Sequence, residues 1–537
     1  MKPLHVLIIC LISAYADFVR GQSNENYRGG VRIAWDYSSQ QQLSEKGGYP
    51  RLIRLQDSSL IVIYETYTGD IYLKKSEDEG RSWVNSTKVF AQFNYADLQG
   101  KSTLVKMSNP EIIQLKNEDI ILACNYRPVE ENIAPYTIVI RRSTDRGETW
   151  LPPQTLYVAA PRFKDGCWEP SFLELPNGEL QIYFANENPY RNSDEQEISM
   201  LSSKDRGKSW STKAKMISFR KNKRDGMPVP IVKNNEIIIA IEDNKRGEFK
   251  PFTVRTKLED NWKEPVFGQS KNREYALNEH IDDSIYMGAP YLLNLPNGQT
   301  LLSYQTNGGR ARDWELSTLE TAIGDENGRN FQHRTRPFRV SKEKQAKWSS
   351  IALWDEHTVV ALTSTDFKTE HQAPWMIKGH IIPNTIYNNQ EEERFPVFIG
   401  GLSKSNVKAK INKKGENIRV TCQVEEDKKF LSSTSGIFLY FLMNGKKYRI
   451  WAPRKGDSQL FRDEGDKWHP LSNFVKVESK VHSKGYNLIF NLPCEKEKNS
   501  FKLGLALSSC TERKEQYTEF LIHMEEKDVD TWLKFVW

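Results

Sequence analysis

Six segments of the chain share one pattern of hydrophobic and polar positions: a polar residue, a proline or serine, an apolar run, a turn and a second apolar run. Two examples are YPRLIRLQDSSLIVIYE, which begins at Tyr49, and EPSFLELPNGELQIYFANE, which begins at Glu169. The second positions recur 58 to 62 residues apart, at Pro50, Pro110, Pro170, Pro228, Pro290 and Ser350. Two β-branched and aliphatic runs around a turn of the Pro-Asn-Gly type predict a β-hairpin in each repeat.

The length of the repeat predicts how these hairpins are arranged. About sixty residues leave room for two further strands beside each hairpin, so each unit is expected to be a four-stranded sheet. Radial packing of such sheets gives a β-propeller, and six repeats predict six blades over residues 23–390. A β-helix or a β-sandwich is the alternative, although neither requires hairpins at this even spacing. The predicted class is therefore all-β.

The pattern changes after the sixth repeat. An acidic, polar stretch at 388–398 is typical of a linker. Beyond it, short runs of alternating apolar and polar residues predict an antiparallel β-sandwich over residues 391–537. Two hypotheses remain for this domain: sugar binding through Trp451, Trp468 or Tyr486, and a packing module without a ligand.

The start of the chain has the features of a secretory signal peptide. Lys2 precedes an apolar run from Leu4 to Ala16, which ends in a small-residue pattern, so we expect residues 1–22 to be removed and the protein to be secreted or periplasmic. An apolar run of about a dozen residues is too short to span a bilayer, so we expect no membrane span.

Charge and cysteine spacing exclude several classes of function. The chain has 76 Lys and Arg against 70 Asp and Glu in 537 residues, a net charge of +6 without a basic stripe, which argues against a nucleic-acid partner. It contains no pair with CxxC or HExxH spacing, so we expect neither a metal site nor a cofactor.

A second repeated motif lies inside the units. SEDEGRSW (76–83), STDRGETW (143–150) and SKDRGKSW (203–210) share the pattern Ser-x-Asp-x-Gly-x-Ser/Thr-Trp. The Asp can accept hydrogen bonds from turn amides and the Gly can adopt a positive φ, so we expect a structural role. A carboxylate committed to its own turn is a poor acid or base. These segments resemble the Asp-boxes of the sialidase superfamily, which implies the propeller fold and says little about the substrate.

Hairpin geometry predicts where the chemistry lies. The start of one strand and the end of its antiparallel partner share an edge of the sheet, and these edges are expected to meet near the propeller axis. Acids, arginines, amides and stacking aromatics are what a sugar site needs. The candidates for substrate binding at these ends are Arg51, Glu111, Arg127, Trp168, Glu187, Asp225, Asp243, Tyr291 and Gln305.

Two of the acids at these ends are candidate catalytic groups. Glu169 lies beside the first strand of the third repeat, and Glu242 ends the second strand of the fourth. Glycoside hydrolysis uses such a pair, one carboxyl to protonate the leaving oxygen and one to attack the anomeric carbon or activate water. The alternative is that each glutamate is a blade-edge residue satisfied by neighbouring amides or by an arginine.

Three segments resemble one family of enzymes more closely. GCWEPSFLELPNGELQIYF, RDGMPVPIVKNNEIIIAIE and YPRLIRLQDSSLIVIYE are similar to the exo-α-1,5-L-arabinanases of glycoside hydrolase family 93, over roughly residues 45 to 310. The resemblance implies Glu169 as acid/base, Glu242 as nucleophile, Arg51 as a funnel arginine and retention of configuration. It predicts an exported, monomeric, exo-acting hydrolase that binds an arabinan-like oligosaccharide or polysaccharide.

Two other functions remain open. Sialidases begin their first blade with Arg-Ile-Pro, and Gly48 stands where that arginine would be. Arg51, Arg127, Arg310 and Arg312 are the candidates for a substitute triad that would bind an acidic sugar. The second alternative is a glycan-binding propeller that keeps the funnel but has no catalysis.

Overall fold

The computed structural model describes residues 29–388, 397–400, 406–426, 435–465, 467–472, 477–494, 498–510, 516–521 and 524–537. In these ranges the chain forms β-strands and a few short 3-10 helices, and no α-helix. The predicted all-β class is confirmed. None of the described helices is long and apolar enough to cross a membrane. The predicted signal peptide, and most of the predicted linker at 388–398, lie outside the described residues.

Six separate sheets account for the predicted repeats. Strand β1 (Val31–Gln42) belongs to the last of them. Sheet one contains β2 (Gly48–Arg54), β3 (Leu60–Glu65), β4 (Ile71–Ser76) and β5 (Val84–Phe90). Sheet two contains β6 (Phe93–Ala96), β7 (Ser102–Gln114), β8 (Ile120–Pro128), β9 (Thr137–Ser143) and β10 (Gln154–Val158). Sheet three contains β11 (Cys167–Glu174), β12 (Leu180–Asn186), β13 (Glu197–Ser203) and β14 (Lys215–Phe219).

The other three sheets follow in chain order. Sheet four contains β15 (Asp225–Lys233), β16 (Glu236–Asp243), β17 (Lys250–Lys257) and β19 (Arg273–Tyr275), whereas the intervening β18 (Val266–Phe267) pairs in parallel with β14. Sheet five contains β20 (Met287–Asn294), β21 (Thr300–Thr306), β22 (Thr318–Gly324) and β23 (Gln332–Thr335). Sheet six is formed by β24 (Ala346–Asp355), β25 (Thr358–Thr365), β26 (Ala373–Pro383) and the N-terminal β1.

The first strands of the hairpins bring the six sheets together. Each of β2, β7, β11, β15, β20 and β24 contacts the first strands of the sheets before and after it, and β24 contacts β2, so the series closes. We call this arrangement the six-sheet ring. The second strands β12, β21 and β25 are buried along their whole length. This explains why the sequence shows continuous apolar runs there instead of alternation.

The three Ser-x-Asp-x-Gly turns have the conformation that their sequence predicts. Their glycines have φ angles of 73°, 88° and 78° at Gly80, Gly147 and Gly207. In the first turn the Asp78 carboxylate accepts hydrogen bonds from the Ser82 hydroxyl at 2.6 Å and the Ser82 N–H at 2.9 Å. These bonds, the hydroxyl's foremost, lower the pKa of Asp78 to about 2. Each such carboxylate is committed to its own turn.

The chain divides into two compact units. One is Gln41–Ile377, and the other combines the chain up to Gln40 with Lys378–Trp537, so the boundaries fall within β1 and β26. The second unit, which we call the two-sheet unit, contains a sheet of eight strands and a sheet of five. Its strands are β27 (Thr385–Tyr387), β28 (Val397–Gly400), β29 (Asn406–Lys414), β30 (Asn417–Glu425), β31 (Gly436–Met443), β32 (Lys446–Pro453), β33 (Gln459–Asp463), β34 (Trp468–Pro470), β35 (Val477–His482), β36 (Gly485–Pro493), β37 (Ser500–Cys510), β38 (Gln516–Phe520) and β39 (Leu533–Val536).

One hydrophobic core joins the two sheets of this unit. Val420 and Leu488 from the five-stranded sheet belong to the same buried cluster as Leu439 and Leu503 from the eight-stranded sheet. Tyr486 is a member of that cluster with no exposed surface, so its ring is not available to a sugar. Of the three aromatics that the sequence suggested for sugar binding, Trp451 and Trp468 are half-buried.

Candidate functional site

Each hairpin of the six-sheet ring carries a β-bulge near the start of its first strand. The pairing register shifts between Gly48 and Arg51 in sheet one, and at the equivalent place in every other sheet. The inserted residue has a φ of 49° to 56° in all six; these bulge residues are Tyr49, Asn109, Glu169, Met227, Ala289 and Trp348. Four of them, from four different sheets, pack into one apolar cluster. The bulges therefore meet at one place in the ring.

The register corrects one detail of the repeat. In sheets one to five a proline follows the bulge residue, and in sheet six the residue at that position is Ser349, whereas the sequence pattern had suggested Ser350. Glu169 precedes its proline and is itself a bulge residue, so its side chain projects from the bulge and not from the regular strand.

Side chains from one sheet hold the bulge of the next. The backbone N–H of a bulge residue donates a hydrogen bond to an acceptor at the end of the preceding sheet's second strand. The five acceptor atoms are Ser364 Oγ for Tyr49 (2.8 Å), Glu65 Oε2 for Asn109 (2.9 Å), Asn125 Oδ1 for Glu169 (3.0 Å), Glu242 Oε2 for Ala289 (2.7 Å) and Gln305 Oε1 for Trp348 (2.8 Å). Within its own hairpin, each of these five acceptor residues is the strand-pairing partner of the residue just before the bulge. Glu242 is thus one member of a set that the fold requires.

Sheet three is the exception. The equivalent position there is Ala185, which has no acceptor, and the N–H of Met227 donates instead to Oε2 of Glu169 at 3.3 Å. A bulge residue of sheet three therefore replaces the missing acceptor. The substitution turns the Glu169 carboxylate toward sheet four, where Glu242 is the last residue but one of β16. The structure thus brings together the two glutamates that the sequence selected.

Both carboxyl groups of this pair favour the protonated state more than an exposed glutamate does. Burial raises the pKa of Glu169 to about 8, and the negative charge of Glu242 adds to the effect. Burial also raises the pKa of Glu242 to about 7, opposed by the Ala289 N–H and by Arg224. Two neighbouring carboxyls with raised pKa values are suited to acid and base chemistry near neutral pH.

Two glycines make room for the Glu242 carboxylate. A Cβ atom on Gly226 would lie 2.8 Å from Oε1, and one on Gly288 would lie 2.5 Å from Oε2. The same Cβ on Gly288 would also collide with the hydroxyl of Tyr286. Glu242 and the Tyr286 phenol therefore lie side by side over the Gly288 backbone.

Arg224 and Tyr286 are site residues that the sequence did not indicate. Arg224 forms an ion pair with Glu187, and its charge lowers the pKa of both Glu169 and Glu242. The Tyr286 hydroxyl accepts a hydrogen bond from Gln305 at 3.0 Å. The available signal for Arg224 was its place directly before the Asp-Gly-Met-Pro segment of the fourth repeat.

An arc of aromatic rings runs from the bulges to Tyr286. The Tyr49 and Trp348 rings stack with centroids 6.3 Å apart, and Trp314 lies 6.1 Å from both Trp348 and Tyr286. Trp314 is 42% exposed, and the Lys347 ammonium lies 4.5 Å from its ring centroid. We call Tyr49, Trp348, Trp314 and Tyr286 the aromatic arc. Tyr49 and Tyr286 are buried and Trp348 is half-buried, so Trp314 provides the open aromatic surface of the kind that stacks on sugar rings.

The predicted stacking residue Trp168 has a different role. Its ring is only 7% exposed, and its indole N–H donates to Oε2 of Glu187 at 2.8 Å. Glu187 in turn binds Arg224, so these two predicted residues support the arginine beside the carboxyl pair. Arg127 is exposed, with its guanidinium 5.1 Å from the Phe163 ring and 5.8 Å from the Trp168 ring.

Arg51, Glu111 and Tyr291 form a separate buried cluster. Arg51 Nε pairs with Glu111 Oε2 at 3.0 Å, and its guanidinium lies 4.0 Å from the Tyr49 ring and 5.3 Å from the Tyr291 ring. Burial raises the pKa of Glu111, and the ion pair with Arg51 opposes this. Glu111 and Tyr291 line a cavity of about 650 Å³ whose lining includes neither Glu169 nor Glu242.

Asp225, Asp243 and Gln305 are buried behind the site. Arg273 binds Asp225 at 2.5 Å and Asp243 at 2.8 Å, and Arg220 binds Asp243 at 2.7 Å. Neither aspartate has exposed surface. The Gln305 amide is also fully buried, with its oxygen bound to the Trp348 N–H and its nitrogen to Tyr286. These three residues hold the site's framework instead of facing a ligand.

Two of the four arginines suggested for an acidic sugar, Arg51 and Arg310, are occupied by other groups. Arg51 is occupied by Glu111 and by the carbonyls of Pro50 and Trp348. Arg310 donates to four backbone carbonyls, those of Leu316, Val340, Ser341 and Lys344. Among the described residues, no three His, Cys, Asp or Glu side chains are grouped to hold a metal ion.

Comparison with known proteins gives one family match. Residues 32–276, which include Glu169 and Glu242, match the family model described as a BNR repeat-like domain. The resemblance to the sialidase superfamily, which the sequence predicted from its Asp-box segments, is confirmed. No curated protein sequence matches the chain.

Several solved structures are similar to this chain. A protein of unknown function from Dyadobacter fermentans is 14% identical with a TM-score of 0.48, covering 64% of this chain and 99% of that one. The GH93 α-L-arabinofuranosidase of Fusarium graminearum, solved with arabinobiose, is 15% identical with a TM-score of 0.46, covering 65% and 96%. The NanB sialidase from Streptococcus pneumoniae is 12% identical with a TM-score of 0.45, covering 64% and 70%.

Proposed function

We propose that the six-sheet ring is a six-bladed β-propeller, that the two-sheet unit is a β-sandwich, and that the protein is a glycoside hydrolase. The observation that carries the proposal is the meeting of Glu169 and Glu242 at the bulge of sheet four. Both carboxyls have raised pKa values there, and the aromatic arc borders them. This combination matches the requirement of glycoside hydrolysis for two carboxyl groups beside a sugar-binding surface.

The environments of the two glutamates support different roles. The Ala289 N–H binds Glu242 at 2.7 Å, whereas the Met227 N–H binds Glu169 at 3.3 Å, so the ionised form is better stabilised on Glu242. Glu169, whose pKa is about 8, keeps its proton near neutral pH and donates it to the leaving oxygen. Glu242 attacks the anomeric carbon as a carboxylate. Water then hydrolyses the glycosyl-enzyme, with Glu169 acting as base, and the configuration is retained.

The proposed substrate is the terminal sugar of a neutral, arabinan-like oligosaccharide. Trp314 of the aromatic arc offers a face for stacking, and two of the four arginines suggested for an acidic sugar, Arg51 and Arg310, are already occupied. Export, exo action and a monomeric state are further parts of the proposal. Sugar binding by the two-sheet unit would involve Trp451 and Trp468, because Tyr486 is buried in its core.

One observation favours a second candidate, a glycan-binding propeller without catalysis. Glu242 occupies a register position where a serine, an asparagine, a glutamine and another glutamate each accept the N–H of a bulge residue. In that case Glu242 would be needed for the fold alone. Glu65 is the matched control, since it has the same position in sheet one and the same bond to a bulge N–H.

A hydrolysis screen separates these two functions. The purified protein is incubated with arabinan oligosaccharides, pectic side chains and sialyl conjugates, beside the variants Glu169→Gln, Glu242→Gln and Glu65→Gln. Glutamine keeps an acceptor oxygen in all three variants, and Gln305 shows that it serves at the position of Glu65 and Glu242, so all three variants are expected to fold. We expect release of a sugar, a loss of about 10² to 10⁴-fold or more in the first two variants, and activity within about threefold in the third. Glycan binding without release in all proteins would establish the binding function.

A further inference from the structure

A small cavity on sheet four contains a buried lysine without a carboxylate partner. The cavity has a volume of about 200 Å³ and is lined by Lys250 of β17. Lys250 is only 6% exposed, and its Nζ donates to the backbone carbonyls of Ile285 at 2.5 Å and Asp283 at 3.2 Å. Among the described residues, no carboxylate forms an ion pair with it. Two carbonyls leave one of the three ammonium N–H groups without a protein acceptor.

Three other charged residues that line the cavity are already paired with residues of opposite charge. Arg220 and Arg273 also line it, but Asp243 and Asp225 neutralise them. The carboxylate of Glu274, another lining residue, is neutralised by arginines outside the cavity, Arg255 and Arg329.

What remains is an excess of positive charge. Lys245 and Arg246, exposed residues that follow β16, line the cavity beside Lys250, and Asp283 is the only lining acid without an arginine partner among the described residues. Among the lining residues, three cations thus face one carboxylate, while Glu248 and Asp282 lie near Lys250 without lining the cavity. Burial lowers the pKa of Lys250, and the carboxylates of Asp283, Glu248 and Asp282 oppose this only in part. A buried ammonium is costly unless an anion compensates it.

We propose that this cavity binds one small oxyanion group, a carboxylate, sulfate or phosphate. Lys250 would donate its third N–H to the anion from the buried side of the cavity. Lys245 and Arg246 would contact the anion from the exposed loop that follows β16. Neither Glu169 nor Glu242 lines the cavity, so the proposal goes beyond the hydrolase function and does not depend on it. The same chemistry fits a free inorganic anion or an acidic group on a glycan, and the experiment distinguishes the two.

Isothermal titration calorimetry of the full chain at low ionic strength tests the proposal. The probes are sodium sulfate, sodium phosphate and galacturonate, with arabinose as the neutral control. We expect saturable binding of at least one anion, no binding of arabinose, and an affinity at least about tenfold weaker in Lys250→Met and in Arg246→Ala. Lys233→Met is the control, because Lys233 is half-buried and, like Lys250, donates to a backbone carbonyl, but does not line the cavity.

The outcomes assign the anion or overturn the proposal. Tighter binding of sulfate or phosphate than of galacturonate indicates a free inorganic anion, and the reverse order indicates an acidic glycan group. Absence of binding by all three anions, or equal binding in wild type, Lys250→Met and Arg246→Ala, overturns the proposal. Arg246 is exposed, so Arg246→Ala decides the matter if Lys250→Met fails to fold.

Discussion

Glu65 and Glu242 occupy the same position in two sheets of the ring, yet their surroundings differ. Glu65 is the last residue of β3 and Glu242 the last but one of β16, and each accepts the N–H of the next bulge residue, at 2.9 Å and 2.7 Å. Burial raises the pKa of Glu65 to about 6, and the positive charges of Arg127 and Arg51 oppose this rise. Glu242 instead lies among Gly226, Gly288, Tyr286 and a second carboxyl, Glu169.

This comparison separates what the fold requires from what the chemistry adds. The fold requires an acceptor at each of these positions, and five of the six sheets supply one from the second strand. Sheet three does not, because Ala185 stands there, and the Glu169 carboxyl takes its place. The loss of one structural acceptor thus places a second carboxyl beside Glu242. The predictions below test whether the chemistry resides in these local differences.

The largest effect is expected from Gly288→Ala. The added methyl group would lie 2.5 Å from Glu242 Oε2, and the carboxylate would have to move. The methyl group would also displace the Tyr286 phenol; both displaced groups are side chains and not backbone, so the fold is expected to persist, whereas a shift of about 1 Å costs about 10²-fold in activity. Hydrolysis rates and thermal unfolding measure the two effects.

Gly48→Ala is the control for that substitution. Gly48 has the same register position in sheet one, and its nearest atom would be Ser364 Oγ at 3.0 Å. We expect activity within about threefold of wild type, since no catalytic group moves. Equal losses in the two alanine variants would show that the effect is one of general packing.

The pH dependence of hydrolysis provides the next test. Activity requires Glu242 ionised and Glu169 protonated, so with pKa values of about 7 and about 8 the rate is expected to be highest between them. Arg224 lowers both pKa values, so Arg224→Gln is expected to move both limbs of the profile to higher pH by up to about one unit. A profile that keeps its position in Arg224→Gln would contradict the assigned role of this arginine.

The smallest effect concerns the stability of sheet one. Burial raises the pKa of Glu65 from 4.5 to about 6, so its ionisation opposes folding, and the stability it contributes is lost as pH rises through that interval. Glu65→Gln removes this loss, and we expect it to raise the free energy of unfolding by about 1 to 2 kcal/mol at pH 8 and by little at pH 4. Urea unfolding at the two pH values measures the difference, and a gain that does not depend on pH would contradict this account.

The sixty-residue period allowed both the hairpins and the catalytic candidates to be predicted. It locates the ends of the strands along the sequence, and Glu169 and Glu242 lie near those ends. What strand ends do not determine is which polar groups are already paired. Asp225 and Asp243 also lie at strand ends, but arginines at positions 220 and 273, outside the repeat pattern, neutralise them.

The residues that the sequence did not indicate lie where no periodic pattern applies. Trp314 belongs to a short 3-10 helix between β21 and β22, and Tyr286 immediately precedes β20. Trp348 is the exception, since it shares the repeat position of Glu169 and was hidden by the one-residue offset in the sixth repeat. If the six repeats are aligned on their bulge residues instead of on their prolines, Trp348 takes the same alignment position as Glu169.

Covalent trapping tests the central claim most directly. The protein is incubated with an activated 2-fluoro glycoside of the sugar that the hydrolysis screen identifies. The fluorine slows both formation and breakdown of a glycosyl-enzyme, and the activated leaving group restores the rate of formation, so the glycosyl-enzyme accumulates. Intact mass and peptide mapping are then measured. The account predicts one adduct per chain, located on Glu242, and no adduct in Glu242→Gln. Turnover without an adduct, or an adduct on another residue such as Tyr286, would contradict it.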